Sequence, residues 1–243
     1  MMPATAQDRR RPEMPDRLLA LEAATSAPPA HARPVAPRAA VEDDQLLSGV
    51  FEVNERCLEL LVHAARQEPK ESFRLVAELR ELLKTSDPAI RRRAACRSFL
   101  LVDMEFGNSD WWRGAGSHLS QQARFPSWRG AFPRASGTRL ARATLLLAWN
   151  SLRAARDPVA ARLLLGMTPE VCDLIASLRF DQIDRIAEKR LRFVRPRWDD
   201  RPAVWRRLLL AARTDDQKLM GEFNVHALQL LAGELMAPTP PPE

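Results

Sequence analysis

The stretch DQLLSGVFEVNERCLELLVHAAR, residues 44–66, sets Leu46, Leu47, Val50, Val53, Cys57, Leu58, Leu61 and Val62 three and four positions apart. That spacing draws one apolar stripe down an α-helix, because residues at i, i+3, i+4 and i+7 share a face. Outward from it the same rhythm continues. After Gln67-Glu68-Pro69 breaks the first helix, Phe73, Leu75, Val76, Leu79, Leu82 and Leu83 form a second stripe. Ser86-Asp87-Pro88 reads as a cap followed by proline at the first helical position, opening a third helix that runs through Ile90, Ala94 and Cys96 to Leu101. Further helices are expected from Thr138 to Arg156, through Leu165, from the capped start Thr168-Pro169-Glu170, near Asp181–Arg190, and over 202–213 and 215–235. Strand-type alternation is confined to Leu191–Val194. The fold class is all-α and multi-helical.

Composition agrees. The chain has 243 residues, 46% of them hydrophobic, with nine glycines against 19 prolines. These values exclude collagen-like, wholly disordered and small disulfide-stapled proteins and leave enough apolar mass for a core. Seven prolines fall in residues 1–43 and four in the closing MAPTPPPE. Proline removes an amide donor and restrains its predecessor, so 1–43 is expected to be a disordered leader, with one short helical stretch at Arg17–Ala24, and 236–243 a disordered tail. Between them the expected organisation is an N-terminal helical unit at 44–107, an aromatic and Gly-rich connector at 108–137, and a second helical domain at 138–235.

Three cysteines, Cys57, Cys96 and Cys172, lie far apart in apolar helical contexts. An odd, scattered count fits a reducing compartment. The N-terminus has no apolar run behind its charges, and no segment reaches the roughly 18 apolar residues of a membrane span. The expected location is the cytoplasm, with no membrane partner.

The formal net charge is +6. Residues 1–43 are neutral, with six arginines against six acidic residues, whereas KRLRFVRPRWDDRPAVWRR at 189–207 has eight basic groups against Asp199 and Asp200. One segment thus carries as much excess charge as the whole chain, which is what an anion-facing patch requires. Two readings stand. Arg190, Arg192, Arg195, Arg197, Arg201, Arg206 and Arg207 oppose DNA phosphates, as planar guanidinium groups do well, or they are solvated faces of amphipathic elements. Of the 37 basic residues 33 are Arg, a skew that G+C-rich coding also produces. Arg91-Arg92-Arg93 with Arg97 is a weaker cluster, since three consecutive helical residues cannot share a face.

Catalytic signals are missing. His31, His63, His118 and His226 are scattered without ligand spacing, and GxSxG, GxxxxGK[ST] and GxGxxG do not occur. The acidic pairs Asp43-Asp44, Asp199-Asp200 and Asp215-Asp216 read as helix caps. The chain is therefore expected not to be an enzyme, to carry no metal or cofactor, and to bind no small-molecule substrate. Residues 107–137 hold five glycines, Trp111, Trp112, Trp128, Phe125 and Phe132 among arginines. Stacking on bases and core packing both account for those aromatics, with packing preferred.

An internal echo runs through the chain. Ala64-Ala65-Arg66 recurs as Ala154-Ala155-Arg156, and, after three inserted residues, Leu82, Ile90, Ala94 and Leu100 fall opposite Ile175, Ile183, Ala187 and Phe193.

The succession LLLAWNSL (145–152), ARLLLGMTPEVCDLIASLRFDQIDRIAEK (161–189), RPRWD (195–199) and TDDQKLMGEFNVHALQLL (214–231) resembles FlhD, the subunit of the bacterial flagellar master transcriptional activator. The resemblance covers roughly 138–235 and is carried by the ordered helices, the Leu165-Gly166 step and the closing helix with Leu230-Leu231. It implies an all-helical regulator that dimerises and, with an FlhC-type partner subunit that supplies the zinc site and much of the DNA contact, activates flagellar or related operons. The chain departs from the family in length, and Val194 stands where members can place a cysteine, so no intersubunit disulfide is expected there. Together, echo and resemblance imply either a homodimer or two degenerate FlhD-like units fused into an intrachain pseudo-dimer. The competing reading is a helical adaptor that binds a regulator or secretion component and no DNA.

Overall fold

A computed structural model describes residues 38–67, 73–116, 132–154, 157–189 and 193–236. From Arg38 onward the chain forms one compact unit. Ten helices and one two-stranded pair make up the described residues: α1 (Arg38–Arg66), α2 (Arg74–Lys84), α3 (Pro88–Ala95), β1 (Val102–Asp103), α4 (Ser109–Gly116), α5 (Arg134–Ala154), α6 (Pro158–Leu165), α7 (Pro169–Ala176), α8 (Phe180–Lys189), β2 (Arg195–Pro196), α9 (Pro202–Thr214) and α10 (Gln217–Met236). The all-α expectation holds, and no described helix is long and apolar enough to cross a membrane.

The expected caps form. Asp87 accepts from Ile90 N, Asp157 from Val159 N and Ala160 N, and Thr168 from Val171 N, each followed by proline at the helix start. Each side chain satisfies an amide that the first helical turn leaves without a partner.

Helix α1 packs against α2 and α3, and α5 against α7 and α8; α1 and α5 pack on each other. Between the two groups β1 and β2 pair antiparallel, Val102 opposite Pro196 and Asp103 opposite Arg195. Helix α9 then lies on α2 and α3, while α4 lies on α7 and α8. Each helix that follows a strand therefore crosses to the helices of the other group. One continuous core results, with Leu58, Leu61, Leu75, Phe99, Phe106, Trp112 and Trp205 all fully buried.

Four boundaries differ from the sequence reading. Helix α1 starts six residues before Asp44. Helix α3 stops at Ala95 instead of reaching Leu101, because the buried Asn54 side chain takes over the backbone there. Its Nδ2 donates to Ala95 O at 3.2 Å and Phe99 O at 2.9 Å, and its Oδ1 accepts from Leu101 N at 2.7 Å. Within the expected irregular connector α4 is helical, opened by Asn108, which accepts from Trp111 N. Trp111 and Trp112 pack edge to face 5.0 Å apart, and both are buried; these two aromatics are core. Residues 117–131, with Phe125 and Trp128, and the leader stretch 17–24 lie outside the described residues. The strand begins at Arg195, just after the expected Leu191–Val194, of which 191 and 192 are not described.

Asn54 makes a direct prediction. Replacing it with Ala leaves the Phe99 carbonyl and the Leu101 amide without partners in a dry interior, and Ala95 O with Arg97 N alone, at about 1–3 kcal/mol for each group left unsatisfied. Urea unfolding of Asn54→Ala should show a loss of several kcal/mol; a loss below about 1 kcal/mol would mean that water replaces the side chain.

Candidate nucleic-acid interface

The basic segment divides in two when folded. Its first half turns inward. Arg197 is only 4% exposed and each nitrogen of its guanidinium has an acceptor: Nε donates to Leu100 O at 3.2 Å, Nη2 to Leu165 O at 3.1 Å and Nη1 to Glu234 Oε2 at 3.1 Å. Its own amide donates to Leu101 O at 2.8 Å, and its carbonyl accepts from Trp205 Nε1 at 2.6 Å. The expectation that Arg197 faces phosphate is therefore corrected, since a guanidinium buried behind three protein acceptors is out of reach of DNA.

Arg195 is half-buried and bound to carboxylates. Its Nε and Nη2 both reach Asp103 Oδ2, at 3.1 and 3.0 Å, and Nη2 lies 3.3 Å from Glu105. Burial alone would push the Asp103 carboxyl up, but Arg197 and Arg195 together more than offset that and hold it below the ordinary range. Burial raises Glu105 and Asp199 instead, with Arg195 only partly countering. Arg195 itself is held more firmly protonated than usual: burial opposes its charge, and Asp103, Glu105 and Asp199 outweigh that. The inward arginines are thus neutralised by acids drawn from β1, the following turn and α10.

Gly166 explains the Leu165-Gly166 step. It caps α6 in the left-handed region at φ 68°, which favours glycine. A Cβ there would lie 2.7 Å from Arg197 Nη1, so its absence also makes room for the guanidinium.

The second half of the segment faces solvent. On α9, Val204, Trp205, Leu208, Leu209, Ala211 and Ala212 are buried, which leaves Arg206, Arg207, Leu210 and Arg213 on the outer stripe, all exposed. No acidic partner faces Arg206, Arg207 or Arg213 among the described residues. Arg201, exposed just before α9, lies 3.7 Å from Asp200. Arg190 and Arg192 lie outside the described residues. The fold therefore brings together Arg201, Arg206 and Arg207 and adds Arg213, which the sequence reading missed although it stands seven residues, two helical turns, after Arg206.

The second basic cluster is spent on structure. Arg91 donates to Ser86 O at 3.0 Å, Arg92 sits 3.4 Å from Glu55, Arg93 donates to Ala212 O at 2.7 Å and Arg97 to Asn224 Oδ1 at 3.0 Å. Arg93 thereby fastens α3 to α9, and Arg97, two residues past the end of α3, reaches α10. No group of three or more potential metal ligands occurs among the described residues.

Beside the arginine stripe, α10 buries Met220, Phe223, Ala227 and Leu231. Leu219, Val225, Leu228 and Met236 remain exposed on the same helix, giving it apolar side chains both inside and out.

Compared with known proteins, residues 138–237 match the family model of FlhD, the flagellar transcriptional activator. The match runs from within α5 through α10 and contains Arg195, Arg197, Glu234 and the α9 stripe, while Leu100, Asp103 and Glu105 of the buried cluster lie outside it. No curated protein matches the chain, and no solved structure does.

Two outcomes follow from the buried cluster. Arg197→Ala leaves the Leu100 and Leu165 carbonyls unsatisfied and Glu234 with Trp198 alone, and should cost about 2–6 kcal/mol, read by denaturant unfolding, with Gly166→Ala destabilising in the same assay. On acidification, the stabilisation from Asp103, whose folded value is depressed, is present above the ordinary carboxylate range and disappears as pH falls through the lowered value. Thermal melts should therefore lose stability as pH falls from the ordinary carboxylate range, with the loss complete below the lowered value, and Asp103→Asn should flatten that limb.

Proposed function

We propose that this protein is a DNA-contacting subunit of a transcriptional activator, acting with an FlhC-type partner on flagellar or related operons, and that it works without catalysing a reaction. The observation that carries the reading is the outward stripe of Arg206, Arg207 and Arg213 on α9, with Arg201 at its start, inside the region that matches the FlhD family. The exposed guanidinium groups of Arg206, Arg207 and Arg213, which have no acidic partner among the described residues, keep their donors for phosphate. The docked base of α9, fixed through Arg93 and the Trp205–Arg197 hydrogen bond, supplies rigidity.

The exposed apolar residues of α10 support a protein partner beside the DNA. They equally favour the adaptor reading, in which that face alone binds a regulator and the arginines stay solvated. Salt separates the two. Phosphate contacts release counterions, with log K falling by roughly 0.9 per contact for each decade of salt; burial of apolar surface has no such dependence.

The test is Arg201→Ala, Arg206→Ala and Arg207→Ala together, titrated with a promoter duplex from a flagellar operon of the host. Binding should weaken at least a hundredfold at moderate salt and the salt slope fall by about 2–3, while surface substitutions of this kind leave stability within about 0.5 kcal/mol each. An unchanged affinity and slope would remove α9 as the DNA face.

A further inference from the structure

The sequence echo and the strand pairing meet in one geometry. Ile90 and Ile183 are both buried, as are Ala94 and Ala187, and each pair stands 93 positions apart. The same interval links two residues with unusual backbones: Glu105 at φ 59° and Trp198 at φ 56°. Positive φ is uncommon outside glycine, so its recurrence at matched positions is not a product of Ala/Leu/Arg-rich composition. The interval also carries the start of α4 at Ser109 onto the start of α9 at Pro202, and Trp112 onto Trp205, both buried. Before the insertion the interval is 90: Val50 and Leu140, Asn54 and Thr144, Leu58 and Ala148 are buried pairs of α1 and α5. One pairing of the echo shifts by a residue, since the buried counterpart of Ile175 is Leu83 and not the half-buried Leu82.

The contacts exchange in the same way. A 93-residue step carries Val102 to Arg195 and Asp103 to Pro196, and the observed partners are Val102 with Pro196 and Asp103 with Arg195. Residue i pairs with the copy of j, and j with the copy of i, which is the signature of an isologous two-fold interface. The crossed helices obey it too, α9 lying on α2 and α3 as α4 lies on α7 and α8.

We propose that α1–α4 and α5–α9 are two copies of one unit that have closed on each other within a single chain, a covalent pseudo-dimer whose outer basic face is present once. The surface that two identical subunits would use to pair is consumed internally, so the chain does not need a second copy. The copies differ where α9 is basic. Asn108 and Gly114 stand at the positions of Arg201 and Arg207, and Arg113, at that of Arg206, is ion-paired to Asp110. A homodimer would present the arginine stripe twice and favour a DNA site with dyad symmetry. This chain presents it once among the described residues and suits one segment of duplex, a consequence that rests on the DNA contact proposed above.

Light scattering on the full chain tests the pseudo-dimer without reference to DNA. One chain, 27.4 kDa, is expected across the micromolar range. Val102→Cys with Pro196→Cys, in a background with Cys96→Ser and Cys172→Ser, should oxidise to a disulfide within one chain, and the product should run as a single chain without reductant. A stable mass of two chains, or a disulfide joining two chains, would overturn the proposal by showing that the strand pair forms between copies. Should the cysteine variant not fold, the mass of the unaltered chain still decides. The stoichiometry on a promoter duplex reads the second part: one chain per site supports it, and two chains on a dyad overturn it while leaving the pseudo-dimer standing.

Discussion

The guanidinium of Arg197 holds the molecule's most distant pieces in one place. Taking a charge out of water costs several kcal/mol unless its donors are satisfied and its charge is opposed. Here Leu100 O comes from the segment after α3, Leu165 O from the end of α6 and Glu234 from α10. Leu100 N also donates to Leu164 O at 3.0 Å, so the first two acceptors come as a pair, and the charge is opposed only when α10 brings Glu234 to them. Glu234 also accepts from Trp198 Nε1 at 2.5 Å, which ties the strained turn to the last helix. The left-handed Gly166 and the positive φ of Trp198 are geometries that the surrounding contacts enforce.

From that cluster the outer surface follows. With Arg195 and Arg197 facing Asp103, Glu105 and Glu234, two of the five arginines of RPRWDDRPAVWRR are neutralised inside the fold. What remains exposed is the α9 stripe, aimed outward because Trp205 and Leu208 point in. The hydrogen bond from Trp205 to Arg197 O ties the first turn of α9 to the buried cluster. Function, on this account, uses the arginines that structure does not consume.

The helices were legible because three- and four-residue spacing and capped Pro starts are local signals, and Asp87, Asp157 and Thr168 behave as their sequence contexts imply. The end of α3 was not, since Asn54 lies 41 and 45 residues from the carbonyls it captures, and nothing near Ala95 announces it. For the same reason composition could not sort the arginines. Arg197 and Arg206 look alike in the sequence; only the 37-residue separation to Glu234, closed by the fold, marks the first as structural. The α9 stripe could be read from periodicity, and Arg213 was within reach of that argument. The echo was visible as a few matched apolar residues, whereas its strongest support, the paired positive φ angles and exchanged strand partners, exists only in three dimensions.

If Arg197 and the strand pair bind the two helical groups into one cooperative body, they must open together. Native-state hydrogen exchange across a denaturant series measures this directly. The account predicts that the slowest amides of α1 and of α5, α8 and α9 share one opening free energy, equal to that of global unfolding. Protection of α5–α9 that persists after α1–α3 has exchanged would contradict it, and would show the C-terminal region standing as an independent domain.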